Sequence, residues 1–224
     1  MERTPEPELM DDVEQARAYA EADFSEPHQA FVEHFRARFP DFRGGRVLDL
    51  GCGPADVTVR FAHAFPDTHL TALDGSAPML AFARRRVEAE DLAGRIELVL
   101  RRLPAAVAGG YDAVISNSLL HHLADPAVLW DTIRMAGRPG ACVLVMDLMR
   151  PSSIEEAERL VACHAADAPA VLRRDFFNSL LAAYQPREVA AQLAAAGFTH
   201  FRVEAVSDRH LLAWGRLPEG KEAP

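Results

Sequence analysis

Cysteine is scarce and scattered. The chain has three, Cys52, Cys142 and Cys163, and no two stand at C-x-x-C spacing. That argues against a disulfide framework and a cysteine-held zinc, and a reducing, cytoplasmic setting is expected. No apolar run approaches the roughly 20 residues that a membrane-spanning helix needs. The acidic start has no apolar core of the kind a secretory signal carries. Basic charge is in deficit: 24 Lys and Arg stand against 33 Asp and Glu, a formal net charge of −9. Nine of the acids fall at or before Glu26, against Arg3 and Arg17, so the rest of the chain is close to neutral. With no basic stripe, DNA and RNA are disfavoured as partners. The short run Arg84-Arg85-Arg86 reads as a solvated helix face before it reads as a phosphate site. No internal repeat or long linker is visible.

What remains is 224 residues, 49% of them hydrophobic, enough for a single domain with a sizeable core. The stretch that organises it runs from Arg46 to Ala62, RVLDLGCGPADVTVRFA. The apolar run Val47–Leu50 encloses one acid, Asp49. Gly51-Cys52-Gly53 follows, and then Val57, Phe61, Ala62 and Phe65 at helical spacing. This is the pattern of a buried parallel strand, a tight glycine turn and a helix. A second strand, Leu70–Leu73, ends in Asp74-Gly75-Ser76. An acid there sits one half-unit downstream, where ribose hydroxyls lie in nucleoside-binding α/β folds. The dinucleotide fingerprint requires glycine at its sixth position for close helix–strand packing, and that position is Asp56, so nicotinamide binding is not expected.

The stretch Asp49-Leu50-Gly51-Cys52-Gly53-Pro54-Ala55, with Asp74, resembles motif I and its partner acid in the class I S-adenosylmethionine (SAM)-dependent methyltransferases. The last glycine of the family pattern is replaced by Ala55. The rest of the chain reads in the same order. A helical N-terminal segment covers residues 11–39, broken near Ser25-Glu26-Pro27, with Ser25 a cap candidate for the second helix. Residues 1 to about 10, rich in Pro and Glu, are expected to be unstructured. Ile96–Leu100 and Tyr111–Asn117 read as strands three and four. The run Ser118-Leu119-Leu120-His121-His122-Leu123 and the helix start at Asp125-Pro126 resemble the ubiquinone-biosynthesis-type, small-molecule branch. Met135–Gly140 resembles that branch's turn before strand five, Ala141–Asp147. Residues 151–185 read as two helices, the helix from Pro186 ends before Gly197, and two final strands lie near 201–206 and 211–215.

The resemblance implies an α/β, Rossmann-like sheet of seven mostly parallel strands, with helices on both faces and the last strand antiparallel. It implies an N-terminal helical segment or lid over residues 1–40, and a SAM-binding domain over 41–224 with a substrate-capping insertion at 151–185. Its site residues, carried over by position, are Gly51, Cys52 and Gly53 against the methionine portion of SAM, with Asp49 orienting the turn or meeting the amino group. Asp74 and Gly75 fall at the ribose, Met79 follows on the next helix, Asn117 lies beside the reacting methyl, and Tyr19 lies on the lid with Phe24 and His28. The family often has an acid after strand three. Here Arg101-Arg102 stands instead, so adenine would meet backbone groups or a stacked Arg101, unless both arginines are plain surface.

The reaction implied is methyl transfer from SAM to a small-molecule acceptor. His121 and His122 are the base candidates for a phenol, enol or thiol, because histidine titrates near neutrality; the alternative is that they pack or hydrogen-bond without doing chemistry. Phe176, Phe177 and Tyr184 line either a pocket or a core, and Arg173 or Arg174 would meet an anionic acceptor. The Asn/Asp-Pro-Pro-aromatic signature of amino-methyltransferases is absent after Asn117. No metal is expected, since Asp147 alone makes no acidic cluster. A homodimer is left open. Two other readings remain: a SAM-binding protein that transfers no methyl, separated by cofactor turnover, and a SAM-using transferase of another group, separated by the cofactor product.

Overall fold

The computed structural model describes residues 1–6 and 9–219; Pro7, Glu8 and residues 220–224, which belong to the expected N-terminal and C-terminal segments, lie outside the described residues. In chain order the elements are α1 (Val13–Glu21), α2 (Ser25–Arg38), β1 (Gly45–Leu50), α3 (Asp56–Ala64), β2 (Thr68–Asp74), α4 (Ala77–Ala89), β3 (Ile96–Leu100) and β4 (Tyr111–Asn117). A short 3-10 helix, Leu120–His122, precedes α5 (Ala127–Ala136) and β5 (Gly137–Leu148). The remainder is α6 (Ile154–His164), α7 (Ala170–Ala182), α8 (Pro186–Ala195), β6 (Arg202–Ala205) and β7 (His210–Arg216).

Seven strands form one sheet in the order β3-β2-β1-β4-β5-β7-β6. Strands β1 to β5 pair in parallel, and β7 runs antiparallel between β5 and β6. This is the sheet expected from the sequence. Strand order reverses between β1 and β4, so their carboxyl ends open a crevice, the place where ligands bind in open α/β sheets. The central strands are buried on both faces, as their apolar runs require: Val47, Leu48 and Leu50 of β1 and Val114 and Ile115 of β4 are fully enclosed.

One face of the sheet carries an apolar layer that includes residues of α2, α3 and α4, and the other a layer that includes residues of α5 and α8. The first layer centres on Phe35, whose ring lies 4.8 Å from Phe61, 4.9 Å from Phe39, 5.1 Å from Phe42 and 5.4 Å from Phe65. Aromatic pairs at such spacings add roughly 0.5–1.5 kcal/mol each beyond their buried area. The second N-terminal helix is therefore welded into the core, while α1 packs on α4 and α7 above the crevice. A third, smaller cluster, with Leu148, Leu160 and Leu180, joins α6 and α7 to the end of β5.

Three local expectations change. Strand β5 begins at Gly137 rather than Ala141: Gly137 pairs with Tyr111, and the register then shifts so that Cys142 meets Ala113. The Arg-Pro-Gly segment is thus an irregularity within the strand, not a turn before it. Ser25 does not cap α2; Phe24 holds the cap position, and the Ser25 amide donates to the Asp23 carboxylate at 2.9 Å. The extreme N-terminus is not loose. Thr4 N donates to Leu181 O at 3.0 Å, and Arg3 donates from its side chain to the carbonyls of Ala182, His121 and Leu123 while lying 4.2 Å over the Tyr184 ring. One arginine satisfies three helix-end or loop carbonyls, which is enough to seat a segment with no periodicity of its own.

Candidate functional site

A cavity of about 1260 Å³ lies over the carboxyl ends of β1, β2 and β4, between α1 and α7. Asp49, Gly51, Cys52, Gly53, Asp74, Gly75, Met79, Arg101, Asn117, Tyr19, His121 and His122 all border it, so the fold brings these twelve candidates to one space.

Its first end is built by the turn after β1. The amides of Gly51 and Cys52 both donate to Leu73 O, at 2.8 and 3.0 Å, which folds the turn back onto β2. The Asp74 carboxylate accepts Gly53 N and Ser76 N, each at 2.8 Å, tying the glycine turn to the start of α4. Burial raises the Asp74 pKa above the usual carboxylate value, with the donated amides opposing it. Asp49 is enclosed at 1% exposure and accepts a 2.6 Å bond from Thr58 Oγ1; burial pushes its pKa up to about 7. In this state Asp49 braces the turn against α3. Gly51 and Gly53 both have positive φ, +74° and +52°. A Cβ on Gly51 would lie 2.9 Å from Leu119 Cβ, whereas one on Gly53 would meet nothing within 4 Å and would project into open space. Ala55 adopts the same left-handed conformation, φ 62°, without being glycine.

Tyr19 and Phe24, with ring centroids 4.8 Å apart, border the cavity, and Phe24 in turn lies 5.5 Å from His28. Burial drives the Tyr19 hydroxyl up to about 12. Helix α2 is tied to α3 by a residue that the sequence marked only as excluding a dinucleotide: Asp56 Oδ2 meets His28 Nδ1 at 2.6 Å and Arg60 Nε at 2.9 Å. These partners outweigh the burial that would raise Asp56, and its pKa falls. Arg86, read from sequence as one of three surface arginines, donates instead to Pro54 O at 3.0 Å and Ala20 O at 3.2 Å, linking the glycine turn to α1. Arg101 is exposed and donates to Ala106 O at 2.6 Å.

The other end is built on β4, β5 and the 3-10 helix. Asn117, the last residue of β4, has a buried Oδ1 with no hydrogen-bond partner among the described residues. Asp147 near the end of β5 accepts Leu120 N at 2.7 Å and pairs with His121 Nδ1 at 2.5 Å. His121 and Asp147 are each 2% exposed. Burial works to lower His121, but the charges of Asp147 and Glu6 outweigh it and hold its pKa above the usual histidine value. Glu6, from the docked N-terminus, lies 3.5 Å from His121 Nε2 and 3.2 Å from His122 Nδ1, and accepts Ser179 Oγ at 2.9 Å. Burial raises Glu6. Of the insertion residues, Arg174 and Phe176 border the cavity; Phe177 packs with α6 and α7, Arg173 donates to Ala166 O and Ala168 O, and the Tyr184 hydroxyl donates to Leu123 O. Glu6 and Ser179 carried no signal in the sequence, because neither lies in a motif and their meeting depends on the fold.

Residues 48–143 match the family model described as a methyltransferase domain. A trans-aconitate 2-methyltransferase of Variovorax paradoxus is 34% identical over 139 residues, 62% of this chain and 51% of that one. An O-methyltransferase of Aspergillus nomiae is 28% identical over 57% of each chain. The chain spans about half the length of these relatives. Among solved structures, a plantazolicin methyltransferase in complex with a triazolic desmethylPZN analogue and S-adenosylhomocysteine (SAH) superposes with a TM-score of 0.69 at 12% identity, over 92% of this chain and 90% of that one. A SAM-dependent methyltransferase from Aquifex aeolicus superposes at 0.67 and 16% identity, over 92% and 98%. Sequence match and fold agree: residues 48–143 are similar to a methyltransferase domain, and the whole sheet has the fold of SAM-dependent methyltransferases of known structure.

Proposed function

We propose that the chain transfers a methyl group from SAM to a small-molecule acceptor, with oxygen the favoured acceptor atom. The observation that carries this is the single cavity joining the glycine turn to the His121–His122 pair. Its volume exceeds the roughly 300–1,000 Å³ of a pocket for one drug-sized ligand, so a cofactor and an acceptor fit side by side. The residues suit SAM on their own geometry. The missing Cβ of Gly53 opens the backbone to a ligand, the buried Asp49 and the half-buried Asp74 stand at the turn, and the orphaned Asn117 Oδ1 asks for a donor.

When bound, SAM supplies a methyl already activated by its sulfonium. Gly51, Cys52 and Gly53 give close backbone approach to the methionine portion. Asp74 with Gly75 takes the ribose hydroxyls, and Met79 and Arg101 border the adenine side. Asn117 meets the reacting end, and Tyr19 covers the cofactor and excludes water. His121 and His122 border the acceptor, whose nucleophilic oxygen must shed its proton there. The relatives' names support oxygen: one is called an O-methyltransferase. The unpaired thiols Cys52, Cys142 and Cys163 support a reducing, cytoplasmic setting; no described helix is long and apolar enough to cross a membrane.

Calorimetric titration with SAM and with SAH tests the cofactor half, and transfer of labelled methyl to a panel of hydroxy and carboxylic acids tests the acceptor half. Micromolar binding of both nucleosides and label in an oxygen-methylated product are expected. Binding of neither nucleoside overturns the reading.

A further inference from the structure

The ring atom that a general base would offer to the acceptor, His121 Nε2, does not face open space. It faces the Glu6 carboxylate, as does His122 Nδ1. The three donor atoms lie within 4.8 Å of one another. We propose that Glu6, His121 and His122 bind a divalent transition-metal cation at the acceptor end of the cavity, leaving coordination positions open for an acceptor oxygen. The acceptor half of this inference rests on the reading of the cavity given above; the cation site does not.

The spacing is the first support. Ligands held about 2.0–2.1 Å from a tetrahedral zinc lie roughly 3.3–3.4 Å apart. Glu6 Oε1 stands 3.2 and 3.5 Å from the two histidine nitrogens. The donor set is the second. Two imidazoles and one carboxylate suit zinc, iron, cobalt or manganese and leave positions free, unlike a closed four-cysteine cage.

The surroundings are the third support. Metal-bound histidine donates its other ring nitrogen to a carboxylate, which fixes the ring and raises its basicity. His121 does this with Nδ1 to Asp147 at 2.5 Å, and Asp147 is itself fixed by the amides of Leu120 and Leu148, each at 2.7 Å. Ser179 Oγ steadies Glu6 at 2.9 Å, and Arg3 Nη2 holds the His121 carbonyl at 2.8 Å. The Glu6 and His122 side chains are only 11% and 15% exposed. An ion pair alone would not call for this second layer.

The site also names an acceptor class: a hydroxyl, enol or carboxylate oxygen able to enter the open positions. Coordination acidifies such a hydroxyl, so its proton leaves to solvent. The oxygen's electron pair then forms the O–C bond as the C–S bond of SAM breaks, that pair remaining on sulfur. The histidines act here as ligands, not as free bases.

The test uses the full chain without an affinity tag, stripped with chelator and dialysed. Titration with Co²⁺, read by its visible ligand-field bands, and with Zn²⁺, read by calorimetry, should give one saturable equivalent. Glu6→Gln and His122→Ala should each weaken it tenfold or more, and the cobalt bands should lose intensity or shift. Thermal unfolding without metal confirms that both variants fold; should His122→Ala fail to, His122→Gln replaces it. No saturable binding, or binding equal in wild type and both folded variants, overturns the site. SAM titration of the same samples reports separately on the methyltransferase reading, since Glu6 and His122 have no role at the glycine turn.

Discussion

At the cofactor end of the cavity, the braced polar atoms come from one stretch of chain: Asp49 to Thr58, and Asp74 to Gly53 and Ser76. At the acceptor end they come from four places, Glu6, His121, Asp147 and Ser179, and no two of those pairs are neighbours in sequence. The first end is one strand–turn–helix and the strand beside it, so its geometry follows from local backbone conformation. The second exists only because the N-terminus crosses the molecule and docks on α7.

Substitutions can break this contrast. The largest effect is expected for Asp74→Ala, which removes the acceptor of two backbone amides as well as the proposed ribose contact. A charge-assisted hydrogen bond is worth about 1.5–3 kcal/mol, so SAM affinity should fall roughly ten- to hundredfold by calorimetry. Unchanged affinity would detach the acid from the cofactor.

Asp49→Asn sharpens the contrast through pH. The Asp49 pKa is raised by burial to about 7 in the fold, so the folded protein holds a proton that the unfolded chain has already lost. This contribution is fully present below the unfolded carboxylate value and is lost as pH rises toward 7, at up to about 1.4 kcal/mol per unit. Denaturant unfolding of the ligand-free protein at pH 5 and pH 7 should show the wild type losing about 2 kcal/mol more than the variant. Equal slopes would mean that Asp49 is ionised throughout.

Arg3→Ala addresses the other end. Losing the contacts to three carbonyls and the Tyr184 ring should cost about 1 kcal/mol locally. The Thr4 amide, bonded to Leu181 O, should exchange roughly fivefold faster, with SAM affinity unchanged. A matching loss of SAM affinity would show the two ends to be coupled.

The smallest effect is at Ala55. A non-glycine residue in the left-handed region costs about 1–2 kcal/mol, and Ala55→Gly also gives up one buried methyl. Stability should therefore rise by at most about 1 kcal/mol by denaturant unfolding, with no loss of SAM binding. This departure from the family glycine pattern is a small strain tolerated by the turn.

All seven strands were legible, because buried parallel strands read as apolar runs and the glycine turn reads from its punctuation. The crevice followed from topology. Two misreadings fell where a residue's partner is distant, and one where a near neighbour competes. Residues 1–6 have no periodicity, so nothing local announces that Arg3 reaches carbonyls more than a hundred positions away. Arg86 looked like one of three surface arginines, yet it bonds Pro54 O and Ala20 O. Ser25 looked like a cap, but the Asp23 side chain competes for the same turn.

By itself the sequence determined the sheet, the glycine turn and the acids at its sides, because short-range periodicity and backbone conformation encode them within a few residues. Only the tertiary structure decided that Glu6 meets His121 and His122, that Asp147 orients His121, and that Asp56 of α3 meets His28 of α2. Those contacts join side chains whose separation along the chain carries no signal, and they are set by how helices and strands pack around one core.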